Sequence, residues 1–272
     1  MPRLKSDRPR GVLKTPEPHG QRFRHERYHP SPDLEPYVEH YWVVEWDLRG
    51  YAPHRAETLP HPSVHMIFEE GNRSRIRGAA QAKFSRLLRG QGGVFAVKFT
   101  PAGFQPFARV AVSRFTDTTV SLRAVFGKDG DALDRAVLAA STDASRIEIV
   151  ESFLRRRSPK EDDYVRRISE IVYAAARDRS ILKVDDLVAR FGLNKRTLQR
   201  LFARYVGVGP KWVIQRYRLH EAAEQLEASG PASYAALALQ LGYSDQAHFV
   251  RDFRSIVGQS PAAYARAVQR RV

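Results

Sequence analysis

The stretch "NKRTLQRLFAR", residues 194 to 204, carries Lys195, Arg196, Gln199, Arg200 and Arg204 and no acid. Ammonium and guanidinium groups bind phosphate, while Arg and Gln side chains match the donor and acceptor pattern of base edges. Such a set on one helix suits recognition of a polyanion. Other chemistries find little here. With no Cys there is no thiol nucleophile, no disulfide framework and no cysteine-type zinc finger, and no G-x-S-x-G elbow occurs. His54, His61 and His65 do not stand in H-x-H or H-E-x-x-H spacing, so they read as surface or core histidines. "FTPAGFQPF", residues 99 to 107, has Gly and Pro without phosphate-loop spacing and reads as a turn. No catalytic residue, metal or cofactor is expected.

The elements that must position those cations are written twice. "LQRLFARYVGVGP" (198 to 210) aligns with "FVRDFRSIVGQSP" (249 to 261) at an offset of 51, matching Leu198 with Phe249, Arg200 with Arg251, Phe202 with Phe253, Gly207 with Gly258 and Pro210 with Pro261. Each copy follows a shorter helical stretch and a glycine turn, "KVDDLVARFGLN" and "SYAALALQLGYS", which predicts helix, tight turn, helix. Gly192 and Gly242 suit the positive φ of the turn, Asn194 and Ser244 suit N-caps, and Ala189 and Ala238 suit a close approach between helices. Phe249 and Phe253, one turn apart, should bury against the preceding helix and leave Gln246, His248 and Arg251 on its other sides. A plain helical bundle with a solvated basic face is the bland alternative. Two copies, each with a cationic second helix, argue against it.

These stretches resemble a known family. "GYSDQAHFVRDFRSIVGQSPAAYA" (242 to 265) is similar to the C-terminal signature of AraC/XylS transcription regulators. "GLNKRTLQRLFARYVGVGPKWVIQRYRLHEAAEQL" (192 to 226) is similar to their first helix-turn-helix and connecting helix, so the resemblance covers about 162 to 268. It implies two helix-turn-helix units that enter successive major grooves on one face of double-stranded DNA. Base-reading roles then fall on Arg196, Gln199 and Arg200 in the first unit and on Gln246, His248, Val250 and Arg251 in the second. Lys195 and Arg204 complete the expected DNA-binding set, and Asp245 is expected to cap its helix or meet a cytosine amino group. Ala265 stands between Tyr264 and Arg266, a departure from the family's usual order that puts a phosphate contact from Arg266 in question. RNA polymerase, a small-molecule effector and a second copy of the chain are the further partners implied.

Length and charge agree with this reading. The 272 residues suffice for two domains, and a formal charge of +15 favours polyanionic partners. No apolar run of 18 residues and no signal-type h-region occur, so a cytoplasmic protein without a membrane span is expected. Residues 1–27, with eight Lys/Arg against three acids, read as a basic disordered arm. Short β-favouring runs, "VEHYWVVEW", "SVHMIF", "GGVFAVKF" and "VAVSRF", predict an all-β barrel or sandwich, and "DASRIEIVESFLRRR" predicts an amphipathic helix after it. The charged "RRRSPKEDD" (155 to 163) marks the boundary, giving a β-rich sensing or dimerisation domain over 28–157 and a helical DNA-binding domain over 158–272. The class is thus α+β. Trp42, Trp46, His61, His65, Phe68, Phe95 and Phe99 are candidates to line an effector pocket, against the blander reading of core aromatics. An architectural DNA-binding protein and an enzyme with a DNA-binding appendix are the competing functions.

Overall fold

Alternating side chains on long strands make a sheet whose two faces can each be covered, and the first half of the chain does this. The computed structural model describes residues 12–14, 22–72, 74–157, 162–228 and 233–269. Its strands are β1 (Val12–Lys14), β2 (Phe23–Tyr28), β3 (Val38–Leu48), β4 (His54–Thr58), β5 (His65–Glu69), β6 (Arg75–Arg77), β7 (Phe84–Leu88), β8 (Gly90–Phe99) and β9 (Thr119–Ser121). They pair antiparallel in a six-stranded sheet of order β2-β3-β8-β5-β6-β9 and a three-stranded sheet of order β1-β4-β7.

On the central strands the period of two sorts residues cleanly. Tyr41, Val43, Met66, Phe68, Phe95, Val97 and Phe99 belong to one core, with Ile147, Val150, Phe153 and Leu154 from the helices that follow. Trp46, Leu48, Ile67, Val94 and Ala96 belong to a second core on the opposite face, with Leu88 of β7 and Ala56 of β4 from the smaller sheet. The larger sheet is therefore covered on both sides. Helix α1 (Gln105–Ala108) lies between β8 and β9, and helices α2 (Leu122–Phe126), α3 (Lys128–Ala139) and α4 (Asp143–Arg156) follow β9. Only α4 of these is legible in the sequence; the turn expected at 99–107 ends in the one-turn helix α1, and α2 and α3 are not expected. Helix α4 starts at a Thr142–Ser145 capping box and is tied to the β2–β3 connection through buried Glu151, which accepts from Ser31 N at 2.9 Å and Ser31 Oγ at 2.5 Å.

Two local expectations change. "VAVSRF" is not a strand: Val112–Phe115 form a 3₁₀ turn, with Val112 and Phe115 buried and Ser113 and Arg114 exposed, because a period of three brings residues i and i+3 to one side. The expected arm, 1–27, contains the strand Val12–Lys14 and most of Phe23–Tyr28, the second paired residue for residue with β3; the arm's other residues up to 21 lie outside the described residues.

The second half is helical: α5 (Asp163–Arg177), α6 (Val184–Phe191), α7 (Lys195–Tyr205), α8 (Pro210–Ala228), α9 (Tyr234–Gln240), α10 (Gln246–Val257) and α11 (Pro261–Gln269). Helix α8 joins two cores. Its Val213 and Ile214 pack with Ile168, Leu187, Leu198 and Phe202, while its Leu219, Ala222 and Leu226 pack with Leu237, Ala238, Phe249 and Phe253. A helix buried on nearly all sides acts as a rigid spacer between what packs on it. The β-rich half reaches both cores, Ala79 and Ala102 entering the first and Leu59 the second.

Candidate nucleic-acid interface

The two cation-bearing helices, α7 and α10, are each defined by what holds them down. In α7, Leu198, Leu201, Phe202 and Tyr205 are buried, and Asn194 Oδ1 accepts from Thr197 N at 2.8 Å to cap the first turn. In α10, Phe249, Phe253, Ile256 and Val257 are buried, and Asp245 Oδ1 accepts from His248 N at 2.7 Å. That bond holds the Asp245 carboxyl below its usual pKa. Asn194 and Asp245 are themselves related by the offset of 51. Ser244, expected as the cap, instead lies outside the helix with its Oγ 3.2 Å from Asp245 Oδ2, since the longer carboxylate of the next residue reaches the free N–H groups first. Gly192 and Gly242 have φ of 61° and 82°, as the tight turns require. Ala238 is buried at the helix approach, but Ala189 is exposed; Leu187, its true counterpart at the offset of 51, takes the buried position.

The faces opposite those anchors are open. Lys195, Arg196, Gln199, Arg200 and Arg204 are exposed on α7, and Gln246 and Arg251 are exposed on α10, with His248 and Val250 partly covered. Lys195 Nζ stands 3.3 Å from Asp185 Oδ1 of α6, and the Arg204 guanidinium lies over the Tyr205 ring at 5.6 Å. Val250 packs against the second helical core, so only part of its side chain is free. Lys211 on α8 and Arg254 on α10 are further exposed cations at this face. Asp252 is the one acid of α10. Its Oδ2 accepts from Gln215 Nε2 at 2.8 Å and lies 3.3 Å from His248 Nε2.

The seven pocket candidates do not converge. Phe68, Phe95 and Phe99 face the helical layer, where Phe95 lies 6.1 Å from Tyr41 in a stacked pair and Phe99 meets Phe104 edge-on at 5.1 Å. Trp42 and Trp46 face the smaller sheet, so the pleat itself keeps the two groups apart. Trp42 Nε1 donates to His65 Nδ1 at 3.3 Å, and Trp46 Nε1 to the carbonyl of Arg89 at 3.1 Å. His61 contacts α8: its Nδ1 lies 3.0 Å from Arg216 Nη2, and its ring meets that of His220 edge-on at 6.0 Å. A cavity of about 390 Å³ lies elsewhere, between Arg24, Tyr28 and Glu45 of the sheet and Asp143 and Arg146 of α4.

No metal site is formed by His, Asp and Glu side chains among the described residues. The letters His25-Glu26-Arg27-Tyr28-His29 have H-E-x-x-H spacing, unremarked in the sequence reading, but they run along β2 and past its end, not on a helix. No helix among the described residues is long and apolar enough to cross a membrane.

Comparison with known proteins places both halves. Residues 26–121 match a domain of unknown function, DUF6597, and residues 187–267 match a helix-turn-helix domain. The transcriptional activator AarP of Providencia stuartii is 33% identical over 98 residues, which are 36% of this chain and 72% of AarP. The activator RhaS of Pectobacterium carotovorum is 37% identical over 75 residues, 28% of this chain and 26% of RhaS. The uncharacterised regulator YfiF of Bacillus subtilis is 27% identical over 140 residues, 49% of this chain and 44% of YfiF, so the chain spans less than half of that relative. Among solved structures, ToxT of Vibrio cholerae aligns over 90% of this chain and 98% of its own at 13% identity, with a TM-score of 0.35.

Proposed function

The chain belongs to the AraC/XylS family of transcription regulators, and on that premise we propose that it reads a specific DNA sequence by placing α7 and α10 in successive major grooves of one duplex. The observation that carries this reading is the doubled arrangement: two capped helices, each anchored by apolar and aromatic residues on one side and open with cations and amides on the other, fixed on a single buried spacer. Groove-reading helices need this division, because the buried side sets orientation and the free side meets base edges. We assign base reading to Arg196, Gln199, Arg200, Gln246, His248, Val250 and Arg251, and backbone contacts to Lys195 and Arg204.

Residues 28–157 form the sensing or dimerising part in this proposal, and 158–272 the DNA-reading part. The contact of Arg216 with Pro60 and His61 supports communication between them, since it ties the spacer helix to a loop of the β-rich half. A small-molecule effector, RNA polymerase and a second copy of the chain are its proposed further partners, and the cytoplasm its place of work. Catalysis has no part in the proposal.

Selection of bound sequences from a random duplex pool tests it. A recovered motif of two short blocks about 10 base pairs apart, bound roughly 10³-fold or more above random duplex at fixed salt, is the expected result. Equal affinity for all duplexes would instead describe an architectural protein, a role to which the charge of +15 is also suited.

A further inference from the structure

We propose that Asp252 is a positioning residue of the second recognition helix, fixing the imidazole of His248 so that its Nδ1 is the nitrogen presented to a base. This rests on the DNA-reading role of α10 proposed above. His248 and Asp252 are one helical turn apart, and a lone pair of that kind on a helix surface would be an ordinary, weak i,i+4 contact. Three features make this one different.

The carboxylate is anchored from another helix. Gln215 of α8 donates Nε2 to Asp252 Oδ2 at 2.8 Å, the same oxygen that faces His248 Nε2 at 3.3 Å. The imidazole is also confined from the turn that precedes its helix: the ring of Tyr243, itself buried, meets it edge-on at 5.2 Å and 89°. Finally, the backbone under His248 is pinned, because its N–H is the donor that the Asp245 cap accepts. Ring, carboxylate and backbone are thus held by Tyr243, Gln215 and Asp245. A side chain that reads a base must be held in this way, since its supporting contacts decide which atoms reach the groove.

The chemistry follows from the commitment of one nitrogen. The 3.3 Å approach of Asp252 Oδ2 to Nε2 favours the tautomer that carries its proton on Nε2, and that tautomer keeps a lone pair on Nδ1 able to accept from an exocyclic amine such as the N4 of cytosine or the N6 of adenine. Without the carboxylate the ring gains a second tautomer and a wider range of rotation, and the base preference at that position flattens. Gln215 adds a link to the spacer helix. It precedes Arg216, which grips the β-rich half.

The test is selection from a random duplex pool with the full-length protein and its Asp252→Asn, Gln215→Ala and His248→Ala variants, each with a thermal melt. Asn keeps the shape of Asp and guards against simple loss of folding. Asp252→Asn and His248→Ala should relax preference at the same one or two base positions, by about tenfold in relative affinity, and leave the block read by α7 unchanged. Gln215→Ala should produce a weaker version of the same change. An Asp252→Asn motif identical to the wild-type motif, or a uniform loss of affinity at all sequences, would overturn the positioning role alone. If the wild-type chain itself recovers no motif, the base-reading premise fails first, and this assignment goes with it.

Discussion

Arg216, on the spacer helix and 2% exposed, donates from Nε to the carbonyl oxygen of Pro60 at 2.5 Å, across 156 positions of sequence. Its guanidinium also lies 4.5 Å above the ring of Tyr217 and 3.0 Å from Nδ1 of His61. These partners are neutral, and burial lowers the Arg216 pKa to about 10. A buried charge with neutral partners is costly, so the contact is better suited to fixing a geometry than to adding stability.

Replacement of Arg216 should separate those two roles. Arg216→Met keeps the stem and removes the buried charge, and its unfolding free energy should stay within about 1 kcal/mol of wild type. Arg216→Ala adds a cavity and should lose about 2–4 kcal/mol. Urea unfolding of both variants measures this. A Met variant as unstable as the Ala variant would show that the hydrogen bonds, and not the packing, hold the interface.

Two buried histidines of the β-rich half, His61 and His65, should make stability depend on acidity. Burial, then Lys98, holds the pKa of His61 well below 6.5, and burial, then Lys98 and Arg77, holds that of His65 at about 3. Between those values and 6.5 the unfolded chain binds more protons than the folded one. Stability is therefore complete above about pH 6.5 and falls as the pH drops below it, by up to about 1.4 kcal/mol per histidine for each pH unit. Urea midpoints at pH 7.5, 6.5 and 5.5 should decline at the acid end, and a His61→Gln, His65→Gln protein should show a shallower decline.

Residues 160–272 expressed alone should fold and bind DNA, but less stably than in the whole chain. Both helical cores retain most of their members, while Leu59, Ala79 and Ala102 are lost from their margins and Arg216 is exposed to water. Circular dichroism should show the helices retained with a lower melting temperature. An unfolded fragment would mean that the β-rich half is part of a single cooperative unit.

Phe99 is a pocket candidate by sequence, but its surroundings predict a structural role. It is fully buried against Phe104 and Phe107, so Phe99→Ala should cost about 3–5 kcal/mol through the cavity it leaves. A stability close to wild type, with an altered response to an added compound, would restore the ligand-lining role.

Arg200 and Arg251 occupy matching repeat positions and are both exposed. Arg200→Ala should cost about 1–3 kcal/mol of binding and relax preference in one block only. A uniform loss across sequences, with the salt slope reduced by about one, would identify a phosphate contact instead.

The helical half was legible because its signals are local. The limits of α7, Lys195–Tyr205, follow from a cap at Asn194 and a 3.6-residue apolar spacing at Leu198, Leu201, Phe202 and Tyr205, all within one stretch of chain. The repeat then transfers the same reading to α10. In the β-rich half the strands around Trp42 and Phe95 were visible as texture, yet the face each aromatic takes depends on register with partners far away, such as Trp42 opposite Ala96. Texture also misled at Val112–Phe115, where residues that favour strands were bent into a turn by the packing of Val112 and Phe115.

Two helix-turn-helix repeats and the limits of α7 are legible in the chain's own letters, because capping, glycine turns and helical periodicity act over a few residues, whereas the start of α10 shifts by one residue from the expected Ser244 cap to Asp245. Tertiary structure alone decided that the candidate pocket aromatics divide between opposite faces of a sheet, that Asp252 is anchored by Gln215 from another helix, and that Arg216 reaches Pro60. Each of these is a pairing between segments far apart in the chain, and its energy depends on burial, register and distance that no short stretch of residues contains.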